Sequence, residues 1–151
     1  MWYNKVTADV SNLPDFLNHY DKQLEIARTE CKIRGNLEKQ IAALPGITEW
    51  RFNQLQEIEA VLEYMEIELR RIRRKWFKKY LEGYNKALTS RDAEKFADGE
   101  EEVINWEMLM NEVALLRNRY LGILKAIESK NFMLGHITRL RSAGLEDVTL
   151  S

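Results

Sequence analysis

The stretch LQEIEAVLEYMEIELRRIRRKW, Leu55 to Trp76, decides the fold class. Leu55, Ile58, Leu62, Met65, Leu69, Ile72 and Trp76 recur at alternating steps of three and four residues. That spacing keeps one apolar seam on one face of an α-helix, and a strand would need strict alternation instead. A narrow seam of this kind is stable only against another helix. Thr48 is the nearest upstream cap, and the pattern predicts a helix running from there to about Leu88.

Upstream, Leu13, Leu17, Tyr20, Leu24, Ala27 and Cys31 share a second face, and Leu37, Ile41 and Leu44 resume it after a shift near Arg34 and Gly35. Asn12 is placed to cap this segment, with Pro14 in the first turn, where its missing N–H costs nothing. The reading is one long, interrupted helix that Pro45-Gly46 stops. Downstream, Ser90 caps a short turn through Phe96, and Asp98-Gly99 ends it. Glu100, Glu101 and Glu102 then open a helix whose positive end they suit. Val103, Trp106, Leu109, Val113, Leu116, Tyr120, Ile123 and Ile127 form its seam. After Lys130, NFMLGHITRLRSAG predicts a shorter amphipathic helix closed by Gly144.

The expected fold is therefore all-α: long heptad-patterned helices in a bundle, with a short C-terminal oligomerisation helix. The expected organisation is a helical single-stranded-DNA-binding region over 1–130 and an oligomerisation segment over 131–151. In the latter, Phe132, Met133, Ile137 and Leu140 are the residues that need a partner, because an isolated helix below ~12–15 residues is marginal in water.

At 151 residues, 45% hydrophobic and 31% charged, the chain suits a single helical domain. Its one cysteine, Cys31, excludes an internal disulfide and a cysteine-rich zinc site, and its apolar helical neighbours mark it as a core residue. The N-terminus MWYNKVTADV lacks the apolar core of a signal peptide, and no window reaches the length of a membrane span. The expected location is the cytoplasm, the host's cytoplasm for a phage protein.

Charge is the feature that composition hides. The chain totals −1, yet Arg70 to Lys79 carries seven basic residues and no acidic one, so the remainder carries −8. On a helical wheel, Ile72, Trp76 and Leu69 cluster on the seam, while Arg70, Arg71, Arg73, Arg74, Lys75, Lys78 and Lys79 fill the whole remaining arc. Like charges four apart repel by ~0.2–0.5 kcal/mol per pair, roughly 1–2 kcal/mol over the run, and Glu66 and Glu82 offset only part. A bound polyanion would remove that cost. Phe77 and Tyr84 fall among the cations and Tyr80 at their border, where aromatic rings stack on unpaired bases while the cations take phosphates. Trp76 reads instead as a core residue of the seam.

Three other readings fit a basic run: pairing with an acidic segment such as Glu100 to Glu102 of this or another chain, lying on an anionic membrane, and binding duplex DNA. A membrane-surface helix needs a free apolar face, which the seam does not leave. No helix-turn-helix or zinc-finger pattern favours duplex readout. No phosphate-binding glycine loop, His-Glu-x-x-His pair or Cys-His constellation occurs, and His19 and His136 have no ligand set around them. The expectation is a non-enzyme without metal or cofactor.

The C-terminal stretch LKAIESKNFMLGHITRLRSAG, Leu124 to Gly144, resembles the closing segment of the UvsY family of phage recombination mediators. The resemblance lies in Ala126-Ile127, Ser129-Lys130, Phe132, Gly135-His136-Ile137 and Arg141. It implies a ring-like homo-oligomer that binds single-stranded DNA and helps a recombinase replace single-strand binding protein, hydrolysing nothing itself. The alternative is a helical coiled-coil scaffold or adaptor whose basic run contacts an acidic protein partner.

Overall fold

The computed structural model describes residues 1–83 and 88–144. Among them the chain is all-α, in the order α1 (Trp2–Ala8), a 3-10 turn (Val10–Asn12), α2 (Leu13–Glu30), α3 (Leu37–Gly83), α4 (Ser90–Asp98) and α5 (Glu101–Ser142). Along α3 and α5 the contacts run in opposite directions: Gln54 meets Tyr120, the Met65 carbonyl meets the Trp106 indole, and Lys75 meets Glu102. The two long helices are thus antiparallel. α2 fills the groove between them, with Tyr20 edge-on to Tyr120 and Cys31 against Ile123.

The seam residues fill the space expected of them. Leu55, Ile58, Leu62, Met65 and Leu69 of α3 are buried against Val113, Leu116, Tyr120, Ile123 and Ile127 of α5, with Leu13, Phe16, Tyr20, Leu24 and Ala27 of α2. α1, which the sequence pattern did not mark, closes one side through Val6 and through the Tyr3 N–H on the Glu57 carboxylate. Asp9 stops it by turning its carboxylate onto the Ser11 N–H.

The chain breaks ten residues earlier than Pro45-Gly46 suggests. Gly35 takes φ +77°, a left-handed conformation glycine adopts without a Cβ clash, and Asn36 then accepts from the Lys39 N–H at 3.0 Å to start α3. Pro45 and Gly46 lie inside α3. A proline removes one helical hydrogen bond without forcing a stop when neighbouring turns are held, and here Leu44 is anchored in the core. Thr48 is accordingly no cap: its hydroxyl donates back to the Leu44 carbonyl at 2.8 Å. Thr89 rather than Ser90 caps α4, accepting from the Asp92 N–H. Asn12 precedes α2 but gives it no side-chain cap, its amide donating to the Lys5 carbonyl instead.

The separate C-terminal helix is also corrected. α5 passes Lys130 without interruption to Ser142, and Lys130 and Leu134 continue its buried face. The Lys130 ammonium reaches the Glu30 carbonyl at 2.7 Å, capping the end of α2, while its stem lies in the core. Burial holds its pKa below the usual lysine value.

One polar cluster is buried between the three long helices. Arg51, with no exposed surface, donates to Glu30 at 2.7 Å, Gln54 at 2.8 Å and Gln23 at 3.0 Å. Tyr120 completes it through Gln54, and burial pushes its hydroxyl pKa up to about 12.

Candidate nucleic-acid interface

Burial on α3 ends at Leu69. Beyond it α3 projects past the three-helix core and is braced only by α4 and the first turns of α5. The apolar seam therefore gives way to a polar contact, with Ile72 half-buried and Trp76 half-buried. Trp76 is not the core tryptophan its heptad position suggests: its indole N–H donates to Glu102 at 2.9 Å, and Lys79 lies 4.5 Å over its ring. Its ring also lies 6.3 Å from that of Tyr80, so it is covered by neighbours of its own helix more than by the core.

The seven cations divide into two groups. Arg73 faces the acidic helices, with its Nε 3.2 Å from Asp98 and an Nη2 hydrogen bond to Glu107. The Asp98 contact is an ion pair without hydrogen-bond alignment, since Arg73 Nε has no hydrogen-bond partner. Lys75 bonds Glu102 at 2.7 Å, on the same oxygen that accepts from Trp76. The Lys75 and then the Trp76 hydrogen bond hold the Glu102 carboxyl below its ordinary value of 4.5. Arg71 pairs along its own helix with Glu68 at 3.0 Å.

Arg70, Arg74 and Lys78 are exposed and form no ion pair among the described residues. They stand four residues apart, about 5–6 Å between successive Cβ atoms, as one outward stripe. Glu66 and Glu82, the two acids positioned to offset them, pair with neither end. Lys79 is exposed on the Lys75 side of the helix, away from the stripe, and its only described partner is the Trp76 ring.

The aromatic residues are more committed than their wheel positions imply. Tyr80 donates its hydroxyl to Glu100 and stacks on Phe96, ring centroids 5.3 Å apart. Phe77 is half-buried and lines an open cleft of about 420 Å³ with Arg73, Arg74, Glu94, Ala97 and Asp98. Tyr84 lies outside the described residues. Asp98 and Glu107, which orient Arg73, carry no sequence signal of their own, whereas the acidic start at Glu100 to Glu102 does.

The four residues expected to mediate assembly lie on the outer side of α5. Phe132, Met133 and Leu140 are exposed and Ile137 is half-buried, while Leu134 takes the core position. Phe132 meets His136 edge-on at 4.8 Å. Among the described residues no helix is long and apolar enough to cross a membrane, and no cluster of His, Cys, Asp and Glu could hold a metal ion. Comparison with family models, with curated proteins and with solved structures finds no match to this chain.

Proposed function

We propose that the protein binds the phosphate backbone of single-stranded DNA along the outer face of α3 and acts as a homo-oligomeric, non-hydrolysing recombination mediator. In that role it helps a recombinase take the place of single-strand binding protein, as the resemblance to the UvsY family implies. The observation that carries the DNA contact is the stripe Arg70, Arg74 and Lys78: three exposed cations at one-turn spacing, without ion partners among the described residues. Their paired neighbours Arg73 and Lys75 fix the helix against α4 and α5, so the stripe is presented on a held surface. Phe77 lines the adjoining cleft together with Arg74 of the stripe.

A second reading is an adaptor for an acidic protein segment. It is favoured by the carboxylates of Asp98, Glu102 and Glu107, which already pair with this run from within the chain. Titration of labelled single-stranded and double-stranded oligonucleotides at several salt concentrations separates the two. Single-strand binding that weakens steeply with salt supports the first. No binding at low salt, or a flat salt response, overturns it and leaves the adaptor.

A further inference from the structure

The outer side of α5 carries a second apolar stripe, unrelated to the buried seam. At about 100° per residue, every residue of this helix within a band of about 40° beside the buried face, and outside it, is apolar or glycine. Ile104, Met108 and Leu115 occupy its first half, Gly122 and Ala126 its centre, and Met133 and Leu140 its far end. The five large side chains are between 41% and 62% exposed, so the described residues leave much of this stripe uncovered.

Gly122 gives the stripe its meaning. It lies in mid-helix, where glycine costs ~1 kcal/mol relative to alanine. A Cβ there would meet nothing within 4 Å, and its φ is not positive, so neither packing nor backbone conformation within the chain calls for glycine. A second helix crossing closely at that point would call for it.

We propose that a second copy of this chain covers the stripe, its α5 antiparallel to the first about a two-fold axis through Gly122. The stripe is self-complementary in that arrangement. Ile104 and Leu140 lie equally far from Gly122 on either side and meet across the axis. Leu115 falls opposite the small Ser129, and Ala126 opposite Asn118, so large residues face small ones near the close crossing. The ends are charge-complementary: Glu101 and Arg141 flank the stripe on the same side, neither has an ion pair among the described residues, and each comes beside the other from the partner. A parallel pair would put Glu101 against Glu101 and align the two helix dipoles. The antiparallel pair also sets the two basic ends apart, about 45 Å between the Glu107 levels at ~1.5 Å rise per residue.

The pairing does not depend on the nucleic-acid reading and is tested without DNA. Sedimentation of the full chain is expected to give a dimer. Leu115→Glu with Met133→Glu, both at exposed positions, is expected to give a folded monomer with an unchanged circular dichroism melt. A Gly122→Cys chain should form an inter-chain disulfide on oxidation, which the unaltered chain with its half-buried Cys31 does not. Ile104→Cys alone should stay uncross-linked, and should cross-link when mixed with Leu140→Cys. A monomer at tens of micromolar, an assembly that survives the double glutamate variant, or self-cross-linking of Ile104→Cys each overturns the proposal.

Discussion

Replacing Arg70, Arg74 and Lys78 together by alanine is the perturbation that isolates the exposed stripe from the rest of the basic run. Each single-strand phosphate neutralised contributes ~0.7 to the slope of log K against log salt, so losing three contacts should flatten that slope by about 2. Over the range from 50 to 200 mM salt, that is roughly a twentyfold difference in how far affinity falls. The fold should not suffer. None of the three has an ion partner among the described residues, and their removal relieves two like-charge pairs four residues apart at ~0.2–0.5 kcal/mol each, so the melting temperature should hold or rise. Arg73→Ala is the matched control. It breaks half-exposed pairs to Asp98 and Glu107, worth ~0.2–1 kcal/mol each, and should change stability more than the salt slope. Fluorescence anisotropy with a labelled oligonucleotide, alongside thermal melts, measures both quantities. If Arg73→Ala flattens the slope as much as the triple variant, the division into anchoring and free cations is wrong. If the triple variant binds as the unaltered chain does, the stripe is not the contact.

Three further outcomes follow from the same geometry. Arg51→Met should destabilise the protein in urea denaturation by about 3 kcal/mol, the lower end of the ~3–5 kcal/mol for breaking a buried pair because Glu30 keeps some water contact, and adding Glu30→Gln should recover part of it. The folded pKa of Glu102 lies below its ordinary 4.5, so its contribution is present above that value and is lost as pH falls through the lowered one; the Trp76 indole N–H resonance should therefore move only below pH 4.5, and a transition near neutrality would assign it another partner. Pro45→Ala should raise the melting temperature by restoring a donor to the Ile41 carbonyl: the ~3 kcal/mol cost of an interior proline, less ~0.4–1 kcal/mol from the freer unfolded chain, leaves about 2 kcal/mol, and a lower melting temperature would mean that the ring's contacts in the groove with Phe52 and Leu124 outweigh the lost bond.

What the sequence makes legible is what depends on local spacing. The seams Leu55 to Leu69 and Val113 to Ile127 are buried as read, because a three-and-four repeat leaves a helix one face to cover. Breaks are less legible, since Arg34-Gly35 and Pro45-Gly46 are both stop signals and only tertiary anchoring decides between them. Asn36 could start a helix after Gly35, and Leu44 could be held through Pro45, so the first break formed and the second did not. Lys130 misleads for a different reason. A lysine at a core position looks like the end of an apolar face, and nothing local says that its ammonium will find the Glu30 carbonyl, far away in sequence. Once Lys130 is counted as a core residue, Leu134 follows it inward, Ile137 stays half-buried at its edge, and Met133 and Leu140 turn outward.

The same shift explains why the basic run was half legible. A wheel fixes which residues of α3 avoid the seam, but the seam lasts only as long as an apolar helix faces it. At Ile72 the facing surface becomes the acidic start of α5 and the end of α4, and from there the inward side of α3 is held by charge together with the stacking of Tyr80 on Phe96. Arg73, Lys75, Trp76 and Tyr80 face Asp98, Glu100, Glu102 and Glu107, leaving the stripe as the part without an ion pair among the described residues. The two sets are coupled through one rigid helix. A ligand that competes for Glu102 or Glu107 would loosen the brace that presents Arg74, whereas a polyanion on the outer stripe lowers repulsion along α3 and leaves the brace in place. On the proposed reading, a basic run that is partly satisfied from within is a better-held anion surface than one left wholly free, because Arg73 and Lys75 fix the helix while the stripe stays exposed.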